Sequence, residues 1–438
     1  MAGAGRPSAF GRDAGTAREV AELGRASVAR YAAGSFGTGV FATIPTVLLL
    51  YYATETLAIA PGMAGLIILA PKLLSIVWDP VVGVRSDRST SSWGRRRPFM
   101  LAGMLGMVLA FVILFDAPQL PAAATAAWVG VAYLALTLAY SLYAVPYIAL
   151  AAELSSSGAG LARLVASRMI VVMVGILAGA ALGPWLVQAG GGGRDGYAFM
   201  AWVIGPACLV VMAQPILMLH EDRAPPSSAV PAAQPFGPAL RLVAGDAAFR
   251  RLAIGYLLQA SAFGGFSAAV PYLVTRVLGR SEGEIGTALG AYLLATLLSV
   301  PLWATLGRRL TWRTALTLAA VGYAAGALLI GLIVAATLPW GWALIGFAVA
   351  GIPFAGLQVV PFTLLGDHIR CEAQAREGSF TGVWTAVEKL GLAIGPALVA
   401  LALGAFGTAD PETILWIAIL PPTALSLASL FFRPASRP

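Results

Sequence analysis

The sequence is poor in charged residues, histidine and cysteine. Only 11% of its 438 residues are Asp, Glu, Lys or Arg, against about 25% in an average soluble domain. The two cysteines, Cys208 and Cys371, form neither a disulfide framework nor a CxxC metal motif, and the two histidines, His220 and His368, lie far apart in the sequence. The sequence also carries no motif for a catalytic nucleophile or for a Gly-rich phosphate-binding loop. We therefore expect no zinc site, no prosthetic cofactor, no enzymatic activity and no ATP-driven pump.

Long apolar runs are what the sequence has instead, since 59% of its residues are hydrophobic. A membrane-spanning helix needs about 20 mostly apolar residues. Twelve runs approach or exceed that length, which predicts an all-α membrane protein with twelve transmembrane helices. The runs are Val28–Tyr52, Pro61–Val84, Phe99–Phe115, Ala123–Ala151, Leu164–Val187, Phe199–Leu219, Leu252–Val274, Ile285–Leu306, Ala315–Ala336, Trp340–Leu365, Phe380–Phe406 and Thr413–Phe432.

The runs divide into two sets of six around a proline-rich segment. His220 to Pro238 contains five prolines, which favours an extended linker. Ala239 to Arg251 follows as a predicted short amphipathic helix at the membrane surface. The predicted organisation is a cytosolic tail (1–27), a six-helix bundle (28–219), a linker containing the amphipathic helix (220–248), a second bundle (249–432) and a tail (433–438). The first 25 or so residues lack the apolar core of a secretory signal.

Arginine is distributed unevenly along the chain. The net charge of +8 comes from 26 Arg, two Lys and 20 acidic residues. If both termini are cytosolic, 23 arginines fall on or near the cytosolic side, and only Arg194, Arg276 and Arg280 fall outside. The positive-inside rule predicts this pattern. The basic charge therefore reflects topology in a lipid bilayer and gives no reason to expect a nucleic-acid partner.

Two motifs recur at similar spacing in the two halves. Val145-Pro146-Tyr147 matches Val360-Pro361-Phe362, and Gly179-x3-Gly183-Pro184 matches Gly391-x3-Gly395-Pro396. Parallel repeats of six helices build one large class of transporters, which hold the substrate near the midplane between the halves. We therefore predict two bundles related by a pseudo-two-fold axis.

A few ionisable residues fall within the predicted spans, where charge is costly and usually functional. Lys72, Ser75 and Asp79 share one helix face. Pro80 leaves the carbonyl of Ile76 without its backbone partner. This face is interpreted as a cation or proton site; the alternative is a kinked helix whose Asp79 forms a structural ion pair.

Two further deep cations, Lys389 and Arg168, are candidates for function, although Arg168 could instead reach the inner surface. Lys72 is a candidate partner of Asp79 or a residue that reaches the outer surface. Five acids are placed nearer span ends or at less certain depth: Glu55, Asp116, Glu153, Asp367 and Glu388.

The loop between spans two and three predicts a cytosolic gate. Asp87 and Arg88 precede Arg95, Arg96 and Arg97. The acid can pair with the arginines to form a latch that opens when the halves rock. The alternative is an arginine cluster that only sets topology. Rows of glycines at Gly286, Gly175 and Gly391 permit close helix packing, either static or sliding.

A set of motifs recurs in order along the chain: Lys72, Asp79-Pro80, Gly83, Asp87-Arg88, Trp93 to Phe99, Val145 to Tyr147, Arg168, Arg376 to Gly378 and Lys389. With these motifs the chain resembles the glycoside-pentoside-hexuronide:cation symporter family of the major facilitator superfamily. The resemblance covers about Ala33 to Phe432. It implies twelve helices, alternating access, a coupling cation held at Asp79, Lys389 facing it from helix eleven, and a substrate-binding Arg168. Tyr147 and Trp384 are further candidate substrate-binding residues, with Lys72 and Lys389.

The sequence also departs from the melibiose-transporting members of that family. Those members carry a second acid one turn before the Asp-Pro pair, where this chain has Ser75. They grip the sugar with acids in helices one and four, where this chain aligns Gly39 and Ala144. The sequence therefore lacks the groups for that galactoside grip.

The expected function is cation-coupled symport of a small organic solute, a glycoside or hexuronide, by a monomer in the bacterial inner membrane. H⁺ is the expected coupling ion because the site shows few oxygen ligands; Na⁺ stays open, with Ser75 as a candidate ligand. The formal positive charge of Lys72, Arg168 and Lys389 exceeds the negative charge of Asp79 by two, and this excess favours an anionic solute. The alternatives are a lysolipid or amphiphile transporter and a non-transporting pigment- or membrane-assembly factor on the same fold.

Overall fold

The structure, a computed structural model, describes residues 24–155, 158–221, 245–372, 377–407 and 410–432. Across these ranges it is entirely helical, and twelve helices are long and apolar enough to cross a membrane. The predicted fold class is therefore confirmed. The helices are α1 (Arg25–Tyr51), α2 (Pro61–Asp87), α3 (Arg97–Phe115), α4 (Ala122–Leu154), α5 (Gly158–Ala189), α6 (Gly193–Glu221), α7 (Ala247–Tyr272), α8 (Glu282–Arg309), α9 (Trp312–Ala335), α10 (Trp340–Glu372), α11 (Glu377–Phe406) and α12 (Pro411–Ala428).

The two sets of six helices repeat one packing pattern. In the first half α1 packs on α5 and α6, α3 packs on α4 and α6, and α2 packs on α4. In the second half α7 packs on α11 and α12, α9 packs on α10 and α12, and α8 packs on α10. The halves meet through α1–α7, α2–α11 and α5–α8. Each contact thus has its counterpart in the other half, as a pseudo-two-fold axis requires.

The glycine rows lie on equivalent helix pairs. Gly179 and Gly183 of α5 pack against α1, and Gly391 and Gly395 of α11 pack against α7. A Cβ added to Gly395 would lie 2.2 Å from the carbonyl oxygen of Ser261 in α7. The repeated motif therefore brings two backbones together at the same place in each half.

The membrane face at which α1 begins and α12 ends is called the terminal face, and the other the opposite face. At the opposite face both α1 and α7 finish in a π-helical turn, Tyr52–Thr56 and Leu273–Val277. Glu55 and Arg276 occupy corresponding places in these turns and form an ion pair, with Nε of Arg276 2.8 Å from Oε2 of Glu55. The hydroxyls of Thr54 and Tyr272 are 2.6 Å apart beside them.

The glycine row of α8 completes the closure of the opposite face. A Cβ on Gly286 would lie 2.2 Å from the carbonyl oxygen of Ala181 in α5. Of the three rows identified in the sequence, this one joins the two halves. The halves are therefore in tight contact at the opposite face.

The beginning of α7 falls inside the segment predicted to be an amphipathic helix. Within the predicted amphipathic helix, residues 239–244 lie outside the described residues, as do most of the linker and the two tails. From Ala247 onward the chain belongs to α7 itself, capped by Asp246, which accepts hydrogen bonds from the N–H groups of Ala248 and Phe249 at 3.0 and 2.9 Å. Burial raises the pKa of Asp246, but the Phe249 N–H and His368 outweigh it and lower that pKa below its usual value.

Helix boundaries also extend beyond several apolar runs. α5 begins at Gly158 rather than Leu164, α6 begins at Gly193 rather than Phe199, and α10 continues to Glu372. Polar turns outside the hydrocarbon region keep their helical hydrogen bonds, so apolar runs underestimate helix length.

We predict that Gly395→Ala destabilises the protein by about 1–3 kcal/mol, because the added methyl group meets rigid backbone. Gly404→Ala on the same helix is the matched control, since its Cβ would meet nothing closer than 3.7 Å. Alanine's better helix propensity should leave that control neutral or slightly more stable. Thermal unfolding of the detergent-solubilised protein measures both, and equal midpoints would contradict the packing argument.

Candidate functional site: a charged layer between the halves

Charged and tyrosine side chains from five helices lie at similar depth. They are eight to fourteen residues from the terminal-face ends of their helices, which is roughly 12–21 Å along the helix axes. Both halves contribute to this layer. Its members are Asp79 (α2), Tyr140 (α4), Arg168 (α5), Tyr256 (α7) and Lys389 (α11).

An ion pair between Asp79 and Lys389 joins α2 to α11 across the two halves. Nζ of Lys389 donates to Oδ2 of Asp79. Each side chain is 22% exposed, so the pair is partly accessible. The other oxygen, Oδ1 of Asp79, is buried and accepts no hydrogen bond from any described residue. Asp79 thus has an ion-pair partner from the other half and a second oxygen that can still accept a hydrogen bond or a cation.

Ser75 and Lys72 lie on the same helix as Asp79 but are engaged elsewhere. The Ser75 hydroxyl donates to the carbonyl of Lys72 at 2.8 Å. Nζ of Lys72 is 5.9 Å from the ring centroid of Tyr133 in α4, a cation–π contact. Lys72 also interacts electrostatically with Asp79, while the ammonium that pairs with Asp79 is that of Lys389.

Arg168 lies on the first half, and no described carboxylate forms an ion pair with it. Its guanidinium contacts the sulfur of Met169 at 3.8 Å. Three tyrosines of the same half interact electrostatically with it, namely Tyr31, Tyr140 and Tyr147. Arg168 therefore lies within electrostatic range of three tyrosines.

Tyr147 supports these tyrosines from inside the bundle. Its hydroxyl donates to the carbonyl of Tyr31 at 2.6 Å and lies 2.8 Å from the hydroxyl of Ser35. Its side chain is fully buried. In this conformation Tyr147 orders α1 against α4 and is covered by its neighbours.

Trp384 is likewise buried in the second half, where it holds Tyr256. The two rings are stacked with centroids 4.2 Å apart and an interplanar angle of 10°. Tyr256 also interacts with Glu388 of α11. Trp384 thus supports a tyrosine of the charged layer.

Glu388 is the acid whose depth the sequence left uncertain. It interacts electrostatically with Lys389. Tyr140 interacts electrostatically with Glu388, Asp79 and Arg168. Glu388 therefore belongs to the layer. With Glu388 included, the deep cations Lys72, Arg168 and Lys389 exceed the deep acids Asp79 and Glu388 by a formal charge of +1 instead of +2. Its position directly before Lys389 was the available signal.

The residues predicted as a cytosolic gate form a network within the first half. Arg96, 6% exposed, pairs with Asp87 at 3.0 Å and with Glu153 of α4 through Nε at 2.6 Å. Arg95 also pairs with Glu153. Arg88 is exposed, and Arg97 begins α3. The network ties the α2–α3 loop to α4, with Glu153 as the anchor that the sequence reasoning placed only at a span end.

Gly39 and Ala144 carry no carboxylate that could accept hydrogen bonds from sugar hydroxyls. A Cβ on Gly39 would lie 2.6 Å from the carbonyl oxygen of Val172 in α5, so this position faces a neighbouring helix. Ala144 is buried.

Residues 30–432 of this chain match the sequence model of a protein family described as MFS/sugar transport protein. The chain belongs to this family. The resemblance to glycoside-pentoside-hexuronide:cation symporters is therefore confirmed, and the family consists of transport proteins rather than enzymes. The chain is a multi-pass membrane protein.

Individual relatives match over shorter stretches. An uncharacterized symporter of Synechocystis sp. is 33% identical over 29% of this chain and 24% of its own length. A putative glycoside/cation symporter of Escherichia coli K12 is 29% identical over 38% of this chain and 36% of its own. The matches thus span about a quarter to a third of these relatives. The solved nucleoside transporter NupG shares the fold, with a TM-score of 0.70, 12% identity, and coverage of 93% of this chain and 99% of its own.

We predict that Asp79 and Lys389 stabilise the protein as a pair. Asp79→Asn or Lys389→Gln alone should cost about 1–3 kcal/mol, because each leaves a partly buried charge without its partner. The double variant should lose less than the sum of the two, by about 0.5–3 kcal/mol. Thermal unfolding of the four proteins measures the cycle.

The control cycle is Arg280→Gln with Glu284→Gln, a more exposed pair 3.7 Å apart at the start of α8. It should be nearly additive, since exposed pairs contribute little. Additive effects at Asp79 and Lys389 would contradict their pairing.

Proposed function

We propose that the protein is a cation-coupled secondary transporter of a small sugar-like solute that works by alternating access. Asp79 binds the coupling cation, and Lys389 is the resident counter-charge that the cation displaces. The observation that carries this proposal is the Asp79–Lys389 pair, which is formed between the two halves rather than within one.

The location of the pair explains how binding and movement become linked. An isolated charge at membrane depth is costly, so Asp79 and Lys389 stabilise each other while no cation is bound. A cation at Asp79 neutralises the carboxylate and releases Lys389. Because the partners belong to different halves, occupancy changes the free energy of the contact between the halves.

The closed opposite face supports one end state of such a cycle. Glu55–Arg276, Thr54–Tyr272 and the Gly286 contact all join the halves there, whereas the charged layer lies nearer the terminal face and is partly accessible. We place the terminal face in the cytosol because most arginines lie on it. We therefore propose that this conformation faces the cytosol of a bacterium whose inner membrane holds the protein.

The coupling ion is proposed to be H⁺. A hard metal cation requires several oxygen ligands, and the Ser75 hydroxyl is already directed at the Lys72 carbonyl. A proton requires only the Asp79 carboxylate.

The solute is proposed to be a glycoside or hexuronide bearing negative charge. The putative glycoside/cation symporter among the relatives supports the sugar-like class. The remaining charge of +1 and a guanidinium that pairs with no described carboxylate support the anion. Arg168 can bind a carboxylate through two parallel hydrogen bonds.

We predict that Asp79→Asn abolishes uphill accumulation but keeps solute exchange. In proteoliposomes, counterflow needs no net cation movement, whereas gradient-driven uptake does. A screen of thermal shifts against sugars, uronides and lysolipids first identifies the solute, since a ligand of the folded state raises its stability. Loss of both activities together with thermal stability would instead indicate a structural pair.

A pH gradient and a Na⁺ gradient are applied separately in the same vesicles. Uptake that follows Na⁺ alone would overturn the choice of H⁺. Stabilisation by lysolipids alone would favour the amphiphile transporter. Absence of any transport with an intact wild-type protein would favour an assembly role.

We predict that Arg168→Lys weakens binding of an anionic solute about tenfold or more, although the charge is kept, because lysine cannot make the paired hydrogen bonds. The dissociation constant of a uronide, compared with that of its neutral glycoside, measures the effect. Arg163→Lys, an exposed position one and a half turns earlier in α5, is the matched control. Equal losses for the neutral glycoside and the uronide would contradict carboxylate recognition.

A further inference from the structure

Glu282, the first residue of α8, reaches from the second half onto the α5–α6 loop of the first half. The loop is a run of four glycines, Gly190 to Gly193, at the opposite face. Oε2 of Glu282 lies 3.2 Å from the place that a Cβ on Gly192 would take. That oxygen is buried, so the carboxylate is enclosed between the halves.

Two glycines of α8 allow this approach. A Cβ on Gly283 would lie 3.1 Å from the Cβ of Gln188 in α5, and a Cβ on Gly286 would lie 2.2 Å from the carbonyl oxygen of Ala181. The first two turns of α8 therefore rest directly on the end of α5. This packing brings the start of α8 to the loop where α6 begins.

The loop presents the N-terminus of α6 to the carboxylate. Gly192 occupies the N-cap position, since its carbonyl accepts a hydrogen bond from the Gly196 N–H at 3.0 Å. A glycine at this position has no side chain that could accept the N–H groups of the first turn. Gly193, the first residue of α6, interacts through its backbone with the Glu282 carboxylate. Glu282 thus lies where a capping side chain would lie.

Glu282 is not part of the cap of its own helix. α8 is capped by Ser281 and Glu284, and Glu284 accepts a hydrogen bond from the Ser281 N–H at 3.0 Å. Glu284 also pairs with Arg280 at 3.7 Å. This capping box leaves Glu282 available to another helix. The partial positive charge at the N-terminus of α6 attracts a carboxylate.

We propose that Glu282 caps α6 across the two halves and thereby holds the opposite face closed. The inference rests on the alternating access of the proposed function, and it adds a contact that must break before that face can open. When α8 moves away from α5, the carboxylate leaves the loop, and the first turn of α6 loses its acceptor. Closure of this face then depends on a helix terminus whose N-cap residue has no side chain.

The closed contact is incompletely satisfied. Oε2 of Glu282 and the hydroxyl of Tyr197, one turn into α6, are both buried and have no hydrogen-bond partner among the described residues. Buried polar atoms without partners cost free energy, and water can reach both atoms once the face opens. This cost offsets part of the stabilisation by the cap, so the contact can break during a transport cycle.

The test measures distances across the opposite face by double electron–electron resonance. Spin labels are attached at Gln119→Cys and Ala336→Cys, exposed positions in the α3–α4 and α9–α10 connections. The parent protein has Cys208 and Cys371 replaced by alanine. Glu282→Ala should raise the ratio of long to short distances about threefold or more, because a carboxylate at a helix N-terminus stabilises the closed state by that order.

Gly192→Ala tests the same contact from the first half, because the added methyl group meets Oε2 of Glu282. Gly191→Ala is its matched control. Both glycines have a positive φ, 73° and 95°, but a Cβ on Gly191 meets nothing within 4 Å. Gly192→Ala should also raise the ratio about threefold, whereas Gly191→Ala should stay near the labelled parent. Glu284→Gln, which alters only the cap of α8, should stay near the parent as well.

Distances unchanged by Glu282→Ala would overturn the proposal. Equal shifts in Gly191→Ala and Gly192→Ala would also overturn it, since backbone strain in the loop would then explain the effect. If Glu282→Ala does not fold, the comparison of Gly192→Ala with Gly191→Ala decides by itself.

These outcomes are distinct from failure of the proposed function, because the labelled parent is also assayed for gradient-driven accumulation. A parent that accumulates no solute under either gradient would refute cation coupling, while a shift in Glu282→Ala would still support the cap. A parent that accumulates solute, together with unchanged distances in Glu282→Ala, would refute only the role of Glu282.

Discussion

The cost of charge in a low-dielectric environment organises this protein around the Asp79–Lys389 contact. Neither group is stable alone at that depth, and the two belong to different halves. The glycine contacts within each half, such as Gly395 on α7, fix the helices that carry them. The bundles can therefore be rigid while the contact between them includes a single buried ion pair.

The pseudo-two-fold axis relates α2–α11 to α8–α5, yet only the first contact carries this ion pair. Pro80 and Pro301 correspond in α2 and α8, so Val300 takes the place of Asp79. The glycine rows align α11 with α5 and put Leu177 in the place of Lys389. One interface is thus specialised for charge, and its counterpart, with Gly286 on Ala181, for packing.

Most of the fold could be predicted because twelve apolar runs and two repeated motifs carry a one-dimensional signal. The sequence also brought Asp79 and Lys389 forward, since charge at membrane depth is conspicuous. It could not show that Ser75 bonds to its own helix or that Trp384 supports Tyr256, because side-chain direction depends on neighbouring helices. The sequence also left the depth of Glu388 uncertain. That depth depends on where α11 begins, and the polar residues of its first turn hide this boundary in the sequence.

The pair at the end of α1 and α7 bears on how such a chain could have arisen from duplication. Glu55 and Arg276 hold corresponding places in the two π-helical turns and touch each other, so they lie at the symmetry axis. Two identical halves would set glutamate against glutamate there, or arginine against arginine, and like charges repel. An ion pair on the axis is available only to halves that have diverged in charge. Neither half of this protein, paired with a copy of itself, could form that closure.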